Sequence, residues 1–160
     1  MKHPVKKTRE YERFKAIMKF APEMLEKDGF HAPFMFLFCD GKQGVLPLDY
    51  SETNKDQMVA IMRGIAGDSK ADACLVITEV WVAEFGQDGA MEEFRESGLA
   101  VKDYEKKTEA LSMTWEIKMD DEVVRGLEMI PFHREDDNIV LGKKQKQIGE
   151  FEGRFVGILS

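Results

Sequence analysis

Two stretches of this chain, residues 73–85 and 108–132, carry the strongest strand-like patterns, and hydrophobic and polar positions alternate with period two along the second. In the second, Leu111, Met113, Trp115, Ile117 and Met119 share one face, and Ala110, Ser112, Thr114, Glu116 and Lys118 share the other. Such alternation marks a half-buried antiparallel strand. Asp120 and Asp121 interrupt it, which predicts a hairpin and a register. With Met119 opposite Glu122, Ile117 meets Val124, Trp115 meets Gly126 and Met113 meets Glu128. An indole ring then covers backbone that a glycine leaves bare, and Glu116 falls opposite Arg125 on the other face. A slip of one residue would undo both pairings.

Upstream, the period changes to that of a helix. Tyr11, Phe14, Ile17, Met18, Ala21 and Leu25 recur at spacings of three and four over residues 8–28, a single apolar stripe. Thr8 is the expected N-cap and Gly29 the expected C-terminal stop. Pro22 should kink this helix or divide it in two. Residues 34–39 form a continuous apolar run, read as a central strand covered on both faces. Asp40–Gly41 turns it into a weaker return strand that Pro47 assigns to a sheet edge. A second helix is predicted over residues 54–66, with Thr53 and Asp56 as a capping box, Met58, Ile61, Met62 and Ile65 as its buried face, and Gly67 as its end. The tail, residues 139–159, should supply one or two short strands, with Phe151, Phe155, Ile158 and Leu159 in the core. The expectation is one α+β domain over residues 1–160. It has a single, mostly antiparallel sheet of five to seven strands and two helices from the N-terminal half packed on it, in the order α-β-β-α-β-β-β followed by short strands.

A polar insert at residues 86–107 departs from these patterns. It is too long for a hairpin loop and too polar for a core element, so it is expected to be flexible, with residues 90–97 able to form a helical turn or two through Met91 and Phe94.

Composition narrows the function more than it defines it. A chain of 160 residues can bury about 70% of its unfolded surface in one core. The net charge of −7 disfavours nucleic acid and anionic membrane as partners, and Lys143 to Lys146 is too short a basic run to change that. The basic start lacks the apolar core of a signal peptide, and no apolar run is long enough to cross a bilayer. Cys39 and Cys74 lie in apolar strand-like runs and are expected to be reduced, which places the protein in the cytoplasm.

Candidate chemistry is confined to one sheet face. Glu79, Glu109 and Glu128 are expected to point the same way as Trp81 and Trp115, and carboxylates beside apolar rings can do acid–base work or hold a divalent cation. Glutamates on strand faces more often pair with a lysine or arginine, and that is the expected arrangement here. His133 heads a polar run to Asn138 that reads as a solvated turn. Nucleophile elbows, phosphate cradles, dinucleotide fingerprints and metalloprotease spacings do not occur, so no cofactor and no metal ligands are assigned.

The succession of helix, hairpin, helix and three-stranded meander over residues 8–132 resembles the profilin-like layout of roadblock-type proteins. That resemblance implies a five-stranded sheet with helices on one face and a tendency to dimerise. Thr78-Glu79-Val80-Trp81 followed by Lys107-Thr108-Glu109-Ala110 is similar to small uncharacterised bacterial and phage-type proteins, in which a variable polar insert separates the two strands. The resulting expectation is a non-enzymatic interaction or accessory module that forms homo-oligomers or binds a protein partner. The alternative is an enzyme or ligand-binding protein built on the carboxylate face.

Overall fold

A computed structural model describes residues 4–48, 54–83, 90–98, 107–149 and 157–159. After a short 3-10 turn, Pro4–Lys7, the chain forms α1 (Arg9–Asp28), β1 (Phe34–Cys39), β2 (Lys42–Pro47) and α2 (Lys55–Asp68). It continues through β3 (Ala73–Ala83), α3 (Ala90–Ser97), β4 (Lys107–Met119), β5 (Glu122–Glu135), β6 (Asn138–Leu141) and β7 (Gln145–Ile148). The described strands make one seven-stranded sheet in the order β2-β1-β3-β4-β5-β6, with every pairing antiparallel. β5 is long enough to hold two partners on one side: residues 132–135 pair with β6 and residues 126–129 with β7. The fold is α+β, as the patterning predicts.

The β4–β5 register is the one that the hairpin at Asp120–Asp121 dictates. Met119 pairs with Glu122, Trp115 with Gly126 and Glu116 with Arg125. Trp115 lies so close over Gly126 that a Cβ there would fall inside the indole. Two-residue loops close three of the hairpins. Asp40 and Gly41 (φ 52° and 80°) and Asp136 and Asp137 (φ 46° and 69°) both supply the paired positive φ that a tight right-twisting hairpin needs.

Each face of the sheet carries its own core. Thr8 caps α1 by accepting from the Tyr11 N–H, and Gly29 ends it in the left-handed region with its N–H on the Leu25 carbonyl. The buried stripe Tyr11, Phe14, Met18, Ala21 and Leu25 packs on Leu75, Ile77, Leu111, Met113, Trp115 and Ile117. The odd-numbered residues of β3 and β4 therefore face α1. On the opposite face Met58, Val59, Met62 and Ala66 of α2 cover Met35, Leu37, Cys74 and Val76, and Ile158 completes that cluster.

Several expectations need correction. Of the two outcomes expected at Pro22, division of α1 does not occur, and the helix runs without a break through the proline. The proline removes one helical hydrogen bond, but buried residues on both sides of it, Met18 and Leu25, anchor the two halves to the same sheet. The capping box of α2 is Asn54 with Gln57, whose side chains and backbone N–H groups satisfy each other; Thr53 lies outside the described residues. The helix runs past Gly67 to Asp68. Its buried face is rotated, with Val59 and Ala66 inside and Ile61 exposed. The run from His133 is the end of β5, and only Asp136–Asp137 turn. The helices α1 and α2 lie on opposite faces of the sheet, whereas the roadblock-type layout implies one. In the insert, α3 forms at the residues where a short helix was expected. Phe151 and Phe155 lie outside the described residues.

Candidate functional site

Strand pairing does carry Glu79, Glu109, Glu128, Trp81 and Trp115 to one face, the face under α1. It does not gather them into one cluster. Glu128 pairs across the sheet with Met113, four residues from Glu109 along β4, which separates the two carboxylates by roughly 13 Å of strand.

Glu79 and Glu109 meet at Arg134. The guanidinium Nε lies 3.2 Å from Glu109 Oε2 and a terminal nitrogen lies 3.7 Å from Glu79 Oε1. Arg134 Nη1 also donates to the Gly29 carbonyl at 2.6 Å, which ties the C-terminal end of α1 to β5. Glu79 Oε1 accepts a further bond from the His31 backbone N–H at 3.2 Å. Trp81, directly opposite Glu109, is 44% exposed and carries Lys107 Nζ 4.8 Å above its ring. A divalent cation at this pair would have to displace the guanidinium. Among the described residues, no group of three or more His, Cys, Asp or Glu side chains is placed to hold a metal ion.

Glu128 and Trp115 belong to the middle of the same face. Trp115 is buried, edge-on to Tyr11 with ring centroids 5.4 Å apart. Glu128 is buried to 8% exposure, and Lys146 Nζ on β7 reaches it at 3.3 Å. Burial raises the Tyr11 phenol above its ordinary value, and the nearby Glu128 carboxylate adds to that rise. These contacts are those of a packed core with a neutralised acid.

The opposite face holds a further carboxylate, outside the candidate set. Glu116 is 1% exposed. Its Oε2 accepts from Arg125 Nε at 2.6 Å and from the Gly157 N–H at 2.6 Å, and its Oε1 accepts from the Leu159 N–H at 2.9 Å. A fully buried carboxylate needs such a set of donors to offset the loss of water. Its cross-strand neighbour, the Cys74 thiol, is held well above its ordinary value by burial and by the Glu116 charge, and is therefore a protonated core group. The Glu116–Arg125 pairing was legible from the hairpin. The two tail amides were not, because no local pattern connects residues more than forty positions apart.

Beside α1 lies an open apolar cleft of ≈ 240 Å³. α1 packs over β3, β4 and β6, and reaches the Phe38 end of β1 through Phe14, while Phe34, Phe36 and Val45 on the same face border the cleft. Ile17, Phe20 and Met24 of α1 form one wall, and Phe34, Phe36 and Val45 of the hairpin form the other. His31 also lines the cleft, with its ring edge-on to Phe34 and centroids 6.2 Å apart. Phe20, Met24 and Val45 are 59%, 46% and 53% exposed, so apolar surface reaches the solvent here rather than stopping at the core. This place is not among the candidate sites read from the sequence, although Ile17, Phe20 and Met24 follow helical spacing along the edge of the α1 stripe and Phe34 and Phe36 alternate on β1.

A seven-stranded antiparallel sheet between α1 and α2, with an open apolar cleft beside α1 and no metal-ligand group among the described residues, defines the chain as an α+β protein. The chain belongs to the family described as bacteriophage lambda protein ea47, which matches residues 3–158. This agrees with the phage-type resemblance of the Glu79–Trp81 and Lys107–Ala110 strands. No curated protein and no solved structure matches the chain. No helix among the described residues is long and apolar enough to cross a membrane.

Proposed function

We propose that this member of the phage family is a non-enzymatic interaction module that self-associates through the open edge of β2. The observation that carries this reading is the hydrogen-bonding sense of that strand. The tight turn at Asp40–Gly41 makes Cys39 and Lys42 a hydrogen-bonded pair, so Lys42, Gly44 and Leu46 turn their backbone groups toward β1. Gln43, Val45 and Pro47 turn theirs outward. Pro47 sits where a missing N–H costs no ladder bond, while Gln43 and Val45 offer theirs. Among the described strands β2 pairs with β1 alone. Such an edge is a template for another strand, and a two-fold axis across it would join two sheets into one. The exposed Val45 side chain adds apolar contact next to the outward N–H groups.

Glu79 and Glu109 support the same reading in a negative sense. Both are already in contact with the Arg134 guanidinium, and Glu79 also accepts from the His31 N–H, so their oxygens are engaged in structural contacts. The test is light scattering on the eluting protein, with wild type compared with Val45→Pro. The substitution removes an outward N–H and leaves the β1–β2 ladder intact. Wild type is expected as a dimer and the variant as a monomer with unchanged circular dichroism. A wild-type monomer at the highest attainable concentration, or a variant that dimerises equally well, rejects the proposal.

A further inference from the structure

We propose that the cleft between α1 and the β1–β2 hairpin binds a ring-sized apolar molecule carrying one hydrogen-bond donor, of the phenol or indole kind, with His31 Nε2 as the acceptor. This goes beyond the self-association reading and stands without it.

Size comes first. Pockets for drug-sized molecules run to roughly 300–1,000 Å³, and a cleft of ≈ 240 Å³ suits a single ring system rather than a nucleotide-scale cofactor. The walls are aromatic and aliphatic, so the driving force would be burial of an apolar ring, with edge-to-face partners available in Phe34 and Phe36.

Polarity comes second. Of the residues that line the cleft, His31 is the one with a polar side chain. It is only 6% exposed. Its Nδ1 lies 2.7 Å from the Ala32 carbonyl, and a carbonyl can only accept, so the proton belongs on Nδ1. In the neutral ring Nε2 is then a lone-pair acceptor, and among the described residues it has no hydrogen-bond partner. A buried acceptor without a donor carries a desolvation cost that a ligand O–H or N–H would remove. The His31 backbone is held by Glu79, which is itself held by Arg134. Glu79, with Arg134 behind it, thus braces the cleft through the His31 backbone.

The experiment is a nuclear magnetic resonance titration of the full chain with phenol and with toluene, which match in shape and differ in the donor. Phenol should produce saturable shifts at Ile17, Met24 and Val45 and move the His31 Nε2 nitrogen resonance. Toluene should move the same side chains, leave Nε2 in place and bind about five-fold more weakly, the worth of one ordinary hydrogen bond. In His31→Phe the phenol advantage should vanish while toluene binding persists. Equal affinities in the wild type, an unmoved Nε2, or no saturable shift at the cleft would each overturn the proposal. The wild-type nitrogen resonance decides the matter if the variant fails to fold. Light scattering on the same samples separates the two ideas. A monomer that binds phenol rejects only self-association, and a dimer that does not bind rejects only the ligand site.

Discussion

Trp115 and Gly126 show how much a single cross-strand pair specifies. The ring is 2% exposed and lies where the glycine Cβ would be. Glycine is therefore required at position 126 by the space it leaves, since its neighbours on β5 are ordinary strand residues. Gly126→Ala should destabilise the fold by about 2 kcal/mol, in the range of overpacked cores. In a Trp115→Leu background, already weakened by loss of the ring, the added cost of the alanine should shrink toward zero. A double-mutant cycle by urea denaturation measures that coupling; additive effects would mean that the ring does not dictate the glycine. This pair could be read from sequence because its members are eleven residues apart across a tight turn. Arg134 could not be read in the same way. Its parity on β5, six residues after Glu128, does place it on the α1 face. Its role, however, depends on the Gly29 carbonyl and on Glu79 two strands away, which no local pattern brings near.

The helices divide along the same line. α1 was legible from its caps and its stripe because both are local, whereas its continuity through Pro22 was not. The proline's cost is a local quantity, and the anchoring of Met18 and Leu25 on the sheet that outweighs it is tertiary. That balance predicts that Pro22→Ala, which restores one hydrogen bond without touching the buried stripe, raises stability by about 2 kcal/mol. Thermal or urea unfolding tests it, and a variant no more stable than wild type would mean that the helix accommodates the proline at no cost. The buried face of α2 matches the expected one at Met58 and Met62 but departs from it at Ile61, for a different reason. Met58, Val59, Ile61, Met62, Ile65 and Ala66 leave two apolar stripes that both satisfy helical spacing. The sheet selects the one containing the small Ala66, and Ile61 is left 45% exposed. Periodicity identifies a helix well and its buried azimuth poorly when apolar residues surround so much of it.

At the scale of the whole molecule, the two faces of the sheet are closed by different means. α1 covers one through a long apolar stripe and leaves the cleft at its side. The other is closed by α2 and by residues 157–159, where Ile158 enters the α2 core and the amides on either side of it end on Glu116. The tail is thus held by one buried carboxylate that also carries Arg125, so three donors depend on a single charge. Glu116→Gln tests this arrangement with little change of shape. An amide has one accepting oxygen in place of two, and its NH₂ must face a donor, so at least one of the three donors loses its partner. The expected cost is about 3 kcal/mol, as for a buried ion pair broken from one side. Loss of packing alone would lower stability everywhere. Loss of the clamp should release the tail first, so the amides of Gly157 and Leu159 should exchange with solvent much faster while those of Leu75 and Met113 keep their protection under strongly native conditions. If all four speed up together, Glu116 supports the core as a whole and has no particular hold on the tail.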